Sequence, residues 1–504
     1  MKTILLFGAG KSATALITYL LDHAASENWQ IVVVDANREL AEEKVSGSLY
    51  GKAVSFDINN EVVRNKIISD SDIVISLLPP ALHFFVAQDC LRNKKNLLTA
   101  SYVDENMRNL VDKIEENDLL FLCEMGLDPG IDHMSAKKII DEIHADGGKI
   151  TSFLSHCGGL IAPESDDNPW HYKISWNPRN IVLAGKDGAI YKKDSLIEEL
   201  EYEDLFTQRR FVSIPELDVL CWYPNRDSLK YIPLYGLQDT NTFIRTTLRH
   251  PDFLYGWKNV VDLKLTDEKK IYNTDNKSLA QWFKEHMNNN AFSEWLESKL
   301  QDQFSSTTSL LSELVNLVKL EEEADKKGVE RVDEFMVVDE KGDLQEIDID
   351  YLKVTAAAAL AERMHDANLT LKQLFFLGMN DELTMINRGM CSAADVLQFA
   401  LENKLSLNPT DKDMVVMLHQ IEFEKNGSRF RTTSSFIQTG EDATNTAMAK
   451  TVGMPLGVAA KLILNGTIQS KGLKIPITKE IYEPVLQELK QHGIKFQEKT
   501  EVIR

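Results

Sequence analysis

Short apolar runs alternate with stretches of helical spacing along the first quarter of the chain. Such runs, bounded by polar turns, are typical of strands that are buried on both faces of a sheet. Strands that alternate with helices usually form a parallel sheet covered by helices on both sides. The pattern therefore predicts a doubly wound α/β domain. Its predicted strands are Thr3–Phe7, Ile31–Val34, Ala53–Phe56, Ile73–Leu77, Asn96–Thr99 and Leu119–Leu122.

From about Lys149 onward the pattern changes, and runs of predicted strands follow one another. This order predicts a second α/β domain built on a mixed sheet. Between Trp257 and about Ala400 the spacing of apolar residues is mainly helical, which predicts a helical insert domain. The strands of the second sheet are predicted at Lys149–Leu160, Val219–Tyr223, Phe243–Leu248, Val415–Phe423 and Phe430–Ile437, and helices at Leu279–Met287, Ser305–Lys319 and Val354–His365.

A glycine-rich turn separates the first predicted strand from the first predicted helix. Gly8, Ala9, Gly10, Lys11, Ser12 and Ala13 match G-x-G-x-x-A, the fingerprint of a Rossmann dinucleotide-binding domain. The glycines permit a tight turn and let backbone N–H groups approach a pyrophosphate. Asp35 ends the second strand, where an acid usually holds a ribose hydroxyl. Strand, turn, helix and acid together favour a cofactor site over a purely structural turn.

Ligands of doubly wound sheets bind beyond the carboxyl ends of the strands. Four segments should converge there: the fingerprint turn, Leu78–Pro80 with His83, Ser101–Tyr102 and Asp128–His133. The topology therefore places a phenol and an acidic loop near a bound nicotinamide. Further contacts with the cofactor are predicted for Arg38, Asp57, Leu77, Leu78, Pro79 and Ser101.

The domains follow from these elements. Residues 1–130 with 445–504 should form the Rossmann dinucleotide-binding domain, because the helical patterns near the end of the chain are expected to pack back on it. Residues 131–256 with 401–444 should form the α/β domain, to which a family resemblance assigns substrate binding and dimerisation. Residues 257–400 should form the mainly helical domain.

Composition narrows the class of function. The 504 residues are 43% apolar and suit two or three globular domains. No apolar run approaches the ~20 residues that span a bilayer, and no signal peptide is recognised at the first strand. The net charge of −21 argues against nucleic acid or an anionic membrane as partner. Five scattered cysteines without C-x-x-C spacing suggest no metal site and no disulfide framework, so we expect a cytoplasmic protein.

The loop after the sixth predicted strand carries the candidate chemistry. Asp128 precedes Pro129-Gly130 and is a candidate general acid/base. Asp132 and His133 are expected to cap and start a helix over Met134–Ile143. In an acidic protein, arginines near strand ends could clamp carboxylates in a bidentate manner. The candidates for such a clamp are Arg226, Arg245 and Arg249.

Several motifs together resemble the saccharopine dehydrogenase family, and most closely its glutamate-forming type. The resemblance covers nearly the whole chain and implies a Rossmann domain, an α/β domain that dimerises, and a helical domain. It also implies NAD(P)-dependent oxidation of saccharopine to glutamate and 2-aminoadipate 6-semialdehyde in lysine metabolism. The motifs are Gly8–Ala13, Glu124–His133, Ser155–Leu160, Asp167–Pro169, Tyr172–Lys173, Ser175–Trp176, Tyr223–Ser228 and Met448–Gly453.

The resemblance also implies roles for single residues. In the similar fungal enzymes, the positions that match Asp128, Tyr102 and Cys157 line the reaction centre. Asp128 would be the acid/base, Tyr102 a polar orienting group, and Cys157 a site-lining residue of unspecified role. Saccharopine carries three carboxylates, so the residues expected to bind it are Tyr102, Asp128, Lys173, Arg226, Arg245 and Thr246.

Cofactor choice and two other functions stay open on the sequence. Asp35 favours NAD because a carboxylate repels a 2′-phosphate, whereas Arg38 nearby could accept one and fungal relatives use NADP. One alternative is a dehydrogenase that acts on carboxynorspermidine, and the arginines argue against it. The other is a non-catalytic sensor of NAD(P), and the joint presence of Asp128, Tyr102 and the arginines argues against it.

Overall fold

The computed structural model of the chain describes residues 1–289, 294–295, 334–338, 344–348, 365–366 and 368–503. The chain forms two compact units: Met1–Asp167 with His171–Pro251 and Leu405–Arg504, and Asn168–Trp170 with Asp252–Lys404. The predicted helix Ser305–Lys319, and Val354–His365 except for its last residue, lie outside the described residues.

The strands are numbered in chain order. They are β1 (Lys2–Phe7), β2 (Trp29–Val34), β3 (Gly51–Val54), β4 (Ile73–Ser76), β5 (Asn96–Thr99), β6 (Leu120–Leu122), β7 (Lys149–Ile161), β8 (Ala189–Lys193), β9 (Leu196–Leu200), β10 (Arg210–Ser213), β11 (Val219–Pro224), β12 (Arg226–Asp227), β13 (Thr242–Arg249), β14 (Tyr272–Asn273), β15 (Glu334–Val338), β16 (Leu344–Asp348), β17 (Met390–Cys391), β18 (Asp413–Lys425), β19 (Ser428–Thr439), β20 (Gly472–Lys474) and β21 (Gln497–Ile503).

The helices alternate with the strands in the first part of the chain. They are α1 (Thr14–Glu27), α2 (Arg38–Val45), α3 (Glu61–Ser69), α4 (Pro80–Arg92), α5 (Glu105–Arg108), α6 (Val111–Glu116), α7 (Ile131–Ala145), α8 (Pro178–Val182), α9 (Tyr231–Tyr235), α10 (Pro251–Asp262) and α11 (Leu279–Asn289), followed by Ala393–Lys404, Ala447–Leu464 and Lys479–Gln491.

The first sheet has seven strands in the order β20-β6-β5-β4-β1-β2-β3. Every pair in it is parallel, and its central strands β1 and β4 are almost wholly buried, as their apolar sequences predicted. The order of the strands reverses at β1, which lies beside both β2 and β4. The doubly wound α/β domain is therefore confirmed, and its carboxyl edge lies where β1, β4, β5 and β6 end.

The second sheet has ten strands, with the central path β10-β11-β13-β7-β18-β19-β21. The pair β13–β7 is parallel, whereas β11–β13, β7–β18 and β18–β19 are antiparallel, so the predicted mixed sheet is confirmed. In this sheet Arg245 lies opposite Ser155, and Thr247 lies opposite Cys157. Because α7 connects β6 of the first sheet to β7 of the second, the loop before α7 faces both sheets.

The helix Ala447–Leu464 joins the two sheets within the first compact unit. It contacts α1 and β18, and the carboxylate of Asp413 at the start of β18 accepts hydrogen bonds from its first amides, Ala447 and Met448, at 2.6 and 2.9 Å. Within the described part of the chain, this helix is long and apolar enough to cross a membrane, with a mean hydropathy of 1.4. It is 72% buried inside the protein, which is the pattern of a core helix.

The domain boundaries given above stay predictions. Within 445–504, β20 extends the first sheet, whereas β21 pairs with β19 of the second sheet. The described part of the second unit contains α11, a helical segment at 368–376, the helix Ala393–Lys404 and the short pairs β14–β17 and β15–β16.

Candidate active site

The turn after β1 forms a cofactor cradle, defined as Gly8–Ala13. Gly8 has a φ of 101°, and a Cβ placed on it would lie 2.9 Å from the carbonyl oxygen of Leu77. The turn is closed by the Gly8 amide, which donates to the carbonyl of Val34 at 2.8 Å. Only glycine combines this φ with so close an approach of the backbone after β4.

Gly10 differs from Gly8 because a Cβ on it would meet nothing within 4 Å. The space beside it is open, and the 3-10 turn Lys11–Ala13 and α1 begin directly after it. Amides at the start of a helix suit an anionic phosphate. The cradle thus fits the pyrophosphate of a dinucleotide, and the open face at Gly10 is where its backbone can be approached.

Asp35 is fixed at the end of β2. Its Oδ2 accepts a hydrogen bond from the Ala9 amide, and its Oδ1 accepts one from the Asn37 amide, both at 2.8 Å. Arg38 instead forms an exposed ion pair with Glu42 at 2.7 Å. The predicted carboxylate therefore lies beside the cradle, in a position to accept from ribose hydroxyls.

The other predicted cofactor residues also follow strands of the first sheet. Leu77, Leu78 and Pro79 lie after β4, and Ser101 lies after β5. Asp57 follows β3, but its Oδ1 accepts from the backbone and side-chain nitrogens of Asn59, both at 2.9 Å. The residues after β4 and β5 thus lie at strand ends of the first sheet, whereas the Asp57 carboxylate stabilises its own turn.

His83 connects the ends of β4 and β5. Its Nδ1 lies 2.8 Å from the Ser76 hydroxyl, and its Nε2 lies 2.7 Å from the Ser101 hydroxyl. Burial lowers the pKa of His83 to about 4, so the imidazole is neutral at pH 7. We therefore assign it to holding the strand ends that border the cradle.

The reaction cluster, defined as Tyr102, Glu124, Asp128, Asp132, His133 and Arg245, lies next to these strand ends. Asp128 Oδ1 accepts from the Tyr102 hydroxyl at 3.2 Å and from Arg245 Nη2 at 2.5 Å. Its Oδ2 has no hydrogen bond to any residue that the structure describes. Burial raises the pKa of Asp128. One oxygen is thus fixed, and the other is available to a substrate.

Arg245 is buried and shared between two carboxylates. The same Nη2 that binds Asp128 donates to Asp132 Oδ2 at 2.8 Å. Its guanidinium also lies 4.5 Å from the centre of the Tyr231 ring. Burial alone would lower the pKa of Arg245, but the two carboxylates raise it well above its usual value. The guanidinium is therefore a permanent charge inside the cluster.

The loop before α7 differs from its prediction. The helix begins at Ile131, not at Met134, and Gly130 caps it without a side-chain hydrogen bond. Asp132 Oδ1 accepts from the Gly130 amide at 2.6 Å, whereas its Oδ2 faces Arg245. Asp132 thus fixes the start of the helix and also belongs to the reaction cluster, because its two oxygens point to different partners.

Glu124 is a member of the cluster that sequence reasoning did not assign. It is 3% exposed, and its Oε2 lies 2.8 Å from His133 Nε2 and accepts from the Tyr231 hydroxyl at 3.1 Å. His133 Nδ1 lies 2.5 Å from the Tyr235 hydroxyl. Burial opposes ionisation of Glu124, but His133, the Val103 amide and Arg245 together outweigh it, so the pKa of Glu124 is lowered. Its position directly after β6 was the available signal.

Cys157 and Thr246 lie on opposite faces of the second sheet. Cys157 is on the face of Arg245, whereas Thr246 is one residue on from Arg245 and therefore points the other way. There the Thr246 hydroxyl meets His156 Nδ1 at 2.6 Å. The Thr246 side chain thus faces away from Arg245, and its predicted contact with substrate stays a prediction. Burial raises the pKa of Cys157 well above its usual value, so its thiol is neutral, and its place in the lining of the site stays a prediction.

Two cations flank the Tyr102 ring. The guanidinium carbon of Arg226 lies 5.0 Å from the ring centre, and Lys230 Nζ lies 5.2 Å from it. Neither forms an ion pair with the described part of the chain. Lys230, which sequence reasoning missed, lies four residues after Arg226, and burial lowers its pKa. Both can meet a substrate carboxylate beside Asp128.

Lys173 has partners of its own. Its Nζ lies 2.8 Å from both Asp167 and Asp411 and the residue is 4% exposed. Two carboxylates already balance its charge. The structure therefore favours a role for Lys173 in holding these loops together, rather than in binding a substrate carboxylate.

Two groups of described residues outside the reaction cluster have the composition of a metal site, and one of them lies wholly within the first compact unit. Ligand atoms of His23, Glu488 and His492 lie within 4.8 Å of one another. However, Glu488 already accepts hydrogen bonds from Lys461 at 2.8 Å and from the Tyr19 hydroxyl. Its charge is balanced by the protein, so the absence of a structural metal stays our prediction.

A nicotinamide-dependent oxidoreductase is the class that this arrangement defines, because a dinucleotide cradle and a buried acid lie at one edge of a parallel sheet. Two family models match the chain: the saccharopine dehydrogenase NADP binding domain at residues 4–122 and the saccharopine dehydrogenase C-terminal domain at residues 126–494. The chain therefore belongs to the saccharopine dehydrogenase family.

Known relatives agree with the family models. The NADP(+), L-glutamate-forming saccharopine dehydrogenase of Saccharomyces cerevisiae is 34% identical over 508 residues, or 99% of both chains. The alpha-aminoadipic semialdehyde synthase of Bos taurus is 30% identical over 98% of this chain and 47% of its own length.

One solved structure supports the same family. The apo saccharopine dehydrogenase (L-Glu forming) of Saccharomyces cerevisiae superposes with a TM-score of 0.77 at 30% identity, covering 99% of this chain and 100% of that chain. A homospermidine synthase of Legionella pneumophila, at 9% identity and a TM-score of 0.51 over 99% of this chain and 91% of its own, shares the fold alone.

Proposed function

We propose that the chain is a saccharopine dehydrogenase of the glutamate-forming type. It oxidises the secondary amine of saccharopine reversibly to glutamate and 2-aminoadipate 6-semialdehyde, a reaction of lysine metabolism. The observation that carries this proposal is the open Oδ2 of Asp128 in a buried cluster beside the cofactor cradle. The match to glutamate-forming fungal relatives over the full chain supports it.

The residues present suit each proton transfer of this reaction. A nicotinamide dinucleotide, when bound by Gly8–Ala13 and Asp35, supplies the acceptor for the hydride. The amine must lose its extra proton before a hydride can leave the adjacent carbon, and Asp128 Oδ2 accepts that proton. Tyr102 and Arg245 hold Oδ1, so the carboxylate keeps its orientation during the transfer.

The same carboxyl group serves the hydrolysis that follows. After Asp128 has released the first proton to solvent, water adds to the carbon of the imine and gives up a proton to the Asp128 carboxylate. Asp128 then passes this proton to the nitrogen of the carbinolamine. As the carbon–nitrogen bond breaks, the freed carboxylate accepts the hydroxyl proton, the carbon becomes the aldehyde, and the nitrogen leaves as the amine of glutamate. The raised pKa of Asp128 favours this role because the group must both accept and release a proton near neutral pH.

Arg226 and Lys230 would bind the substrate. Both cations lie beside Tyr102 in a protein of net charge −21, so they provide a local attraction for carboxylates. Saccharopine has three carboxylates, whereas carboxynorspermidine has one. The pair Arg226 and Lys230 therefore favours saccharopine over the polyamine alternative. The full-length match to dehydrogenases favours an enzyme over a non-catalytic sensor.

The choice between NAD and NADP rests on opposing observations. The names of the fungal relatives and of the first family model favour NADP. Our prediction of NAD rests on Asp35 alone, since its carboxylate would repel a 2′-phosphate. Replacing Asp35 by Ser should then raise the affinity for NADP relative to NAD. An unchanged ratio would remove Asp35 from cofactor choice.

The activity is tested with purified protein, saccharopine and each cofactor. Reduced nicotinamide absorbs at about 340 nm, and a rise in absorbance that depends on saccharopine is expected. Formation of glutamate should equal the reduced cofactor produced. No absorbance change with either cofactor would refute the function.

We also propose that the protein is cytoplasmic and that it forms a homodimer. All five cysteines are buried, and none forms a disulfide within the part of the chain that the structure describes, which suits a reducing compartment. The dimer is proposed from the family resemblance. Fractionation of cells and sedimentation of the purified protein test these two proposals separately.

A further inference from the structure

Asp132 and Asp128 share one nitrogen of Arg245. The distances from Nη2 are 2.5 Å to Asp128 Oδ1 and 2.8 Å to Asp132 Oδ2. Both Asp132 and Arg245 are almost inaccessible to solvent, at 2% and 3% exposure. One positive charge is therefore divided between the buried carboxylate of Asp132 and the partly buried carboxylate of Asp128, and neither receives its full effect.

The position of Asp132 is fixed independently of Arg245. Its Oδ1 accepts from the Gly130 amide at 2.6 Å, at the start of α7, so its Oδ2 stays directed at the guanidinium. Arg245 is fixed from the other side by β13, where its own amide donates to the Ser228 hydroxyl at 3.1 Å. Asp128 lies in the loop that precedes α7. Its Oδ1 is therefore held by groups from other segments, whereas its Oδ2 is open.

We propose that Asp132 is a positioning residue for the reaction: by competing with Asp128 for Arg245, it keeps Asp128 oriented and still basic enough to take a proton. This inference rests on the proposed function, in which Asp128 is the acid/base. A carboxylate alone with a buried guanidinium would bind a proton only weakly. A carboxylate with no guanidinium would hold the proton too strongly to release it.

Other charged or titratable groups also face this carboxyl group. Tyr102 donates to it from the loop after β5, and Cys157 lies near it on β7. His133, on α7, lies 3.6 Å from Asp132 Oδ2 through its Nδ1 and is paired with Glu124. His419 of β18 lies near Asp132, and burial lowers its pKa to about 4. Arg226 and Lys230 lie beyond the Tyr102 ring.

Each of the main contributions shifts the pKa of Asp128 in a definite direction. Burial raises the pKa of Asp128, Arg245 lowers it and Asp132 raises it. Removing the charge of Asp132 leaves Arg245 to Asp128 alone, so the pKa of Asp128 should fall. Removing the charge of Arg245 leaves two carboxylates facing one another, so it should rise. A purely structural role for either residue predicts a loss of stability but no opposite shifts.

The experiment compares the pH dependence of kcat/KM for saccharopine oxidation in Asp132→Asn and Arg245→Gln. The acid limb should move to lower pH in Asp132→Asn and to higher pH in Arg245→Gln, each by about one pH unit. Arg245→Lys keeps the charge and should restore the limb most of the way to its original position. Where Arg245→Gln does not fold, Asp132→Asn decides alone.

Asp89→Asn is the matched control. Asp89 forms a buried ion pair with Arg64 at 2.7 Å, outside the reaction cluster, so its loss should lower stability and leave the pH profile in place. An unmoved acid limb in Asp132→Asn, or shifts of the same sign in Asp132→Asn and Arg245→Gln, would overturn the proposal. A protein that never oxidises saccharopine would instead refute the proposed function. An acid limb that persists unchanged in Asp128→Asn would refute the role of Asp128 as the acid/base.

Discussion

The cofactor cradle comes from one continuous stretch, Gly8–Ala13, whereas the reaction cluster draws on three separated segments of the chain. The cradle depends on backbone conformation and open space, as Gly8 and Gly10 show. The cluster depends on buried charges that must be balanced by partners from other elements, as Asp128 and Arg245 show. A local stretch of sequence can therefore specify a phosphate site, whereas the function of an acid/base group depends on the residues packed around it.

Loss of the acid/base should have the largest effect. Replacing Asp128 by Ala should lower kcat by about 10²- to 10⁴-fold, the usual contribution of a positioned acid/base. Affinity for the cofactor, measured by fluorescence titration, should remain because the cradle is separate. Asp239→Ala, at an exposed turn, is the control and should leave kcat as it is. Equal rates for Asp128→Ala and the parent protein would remove the cluster from the chemistry.

Alanine substitutions at the two glycines of the cradle should differ in their effect on the free energy of unfolding. Gly8→Ala should lower the free energy of unfolding by about 1–3 kcal/mol, because its φ is strained for alanine and its Cβ would meet Leu77. Gly10→Ala should change that free energy by less than about 0.5 kcal/mol, because its Cβ meets nothing.

Both variants should bind the dinucleotide more weakly, since a methyl group would stand where the pyrophosphate approaches. Thermal unfolding and cofactor titration of the two proteins give the measurement. Normal cofactor affinity in a folded Gly10→Ala protein would show that the dinucleotide does not approach this face.

The substrate cations should affect KM more than kcat. Arg226→Met and Lys230→Met should each raise the KM for saccharopine by about 10-fold, since a charged hydrogen bond is worth about 1.5–3 kcal/mol. Lys173→Met should lower the melting temperature and leave KM nearly unchanged, because Lys173 is held by Asp167 and Asp411. A large KM effect in Lys173→Met alone would reverse this assignment.

The last expected effect concerns the titration of His83, at the junction of the two regions. Between pH 6.5, its usual pKa, and about 4, its folded value, the unfolded chain binds a proton that the folded protein does not. Stability therefore falls as the pH falls through this range, by at most about 3 kcal/mol for this group. His83→Gln should show a smaller loss between pH 7 and pH 4.5. Parallel stability curves for both proteins would exclude titration of His83 as a cause.

The success of sequence reasoning depended on how local each feature is. Six strands of the first sheet and β7, β11, β13, β18 and β19 of the second were predicted, because apolar runs report burial directly. The strands β8, β9, β10, β12, β20 and β21 were missed. The helix after Asp128 was predicted three residues too late, because Asp132 and His133 were treated as capping residues rather than as part of a buried cluster. Thr246 was assigned to the site from its neighbours, without the alternation of a strand that turns it to the other face.

By itself the sequence determined the dinucleotide-binding sheet, the glycine turn and the candidacy of Asp128, because strand burial and turn conformation depend on neighbouring residues. Only the tertiary structure decided that Arg245 serves Asp128 and Asp132, that Lys173 is held by carboxylates, and that Lys230 lies beside Tyr102. The physical reason is that a buried charge is defined by the charges packed against it, and these come from distant segments of the chain.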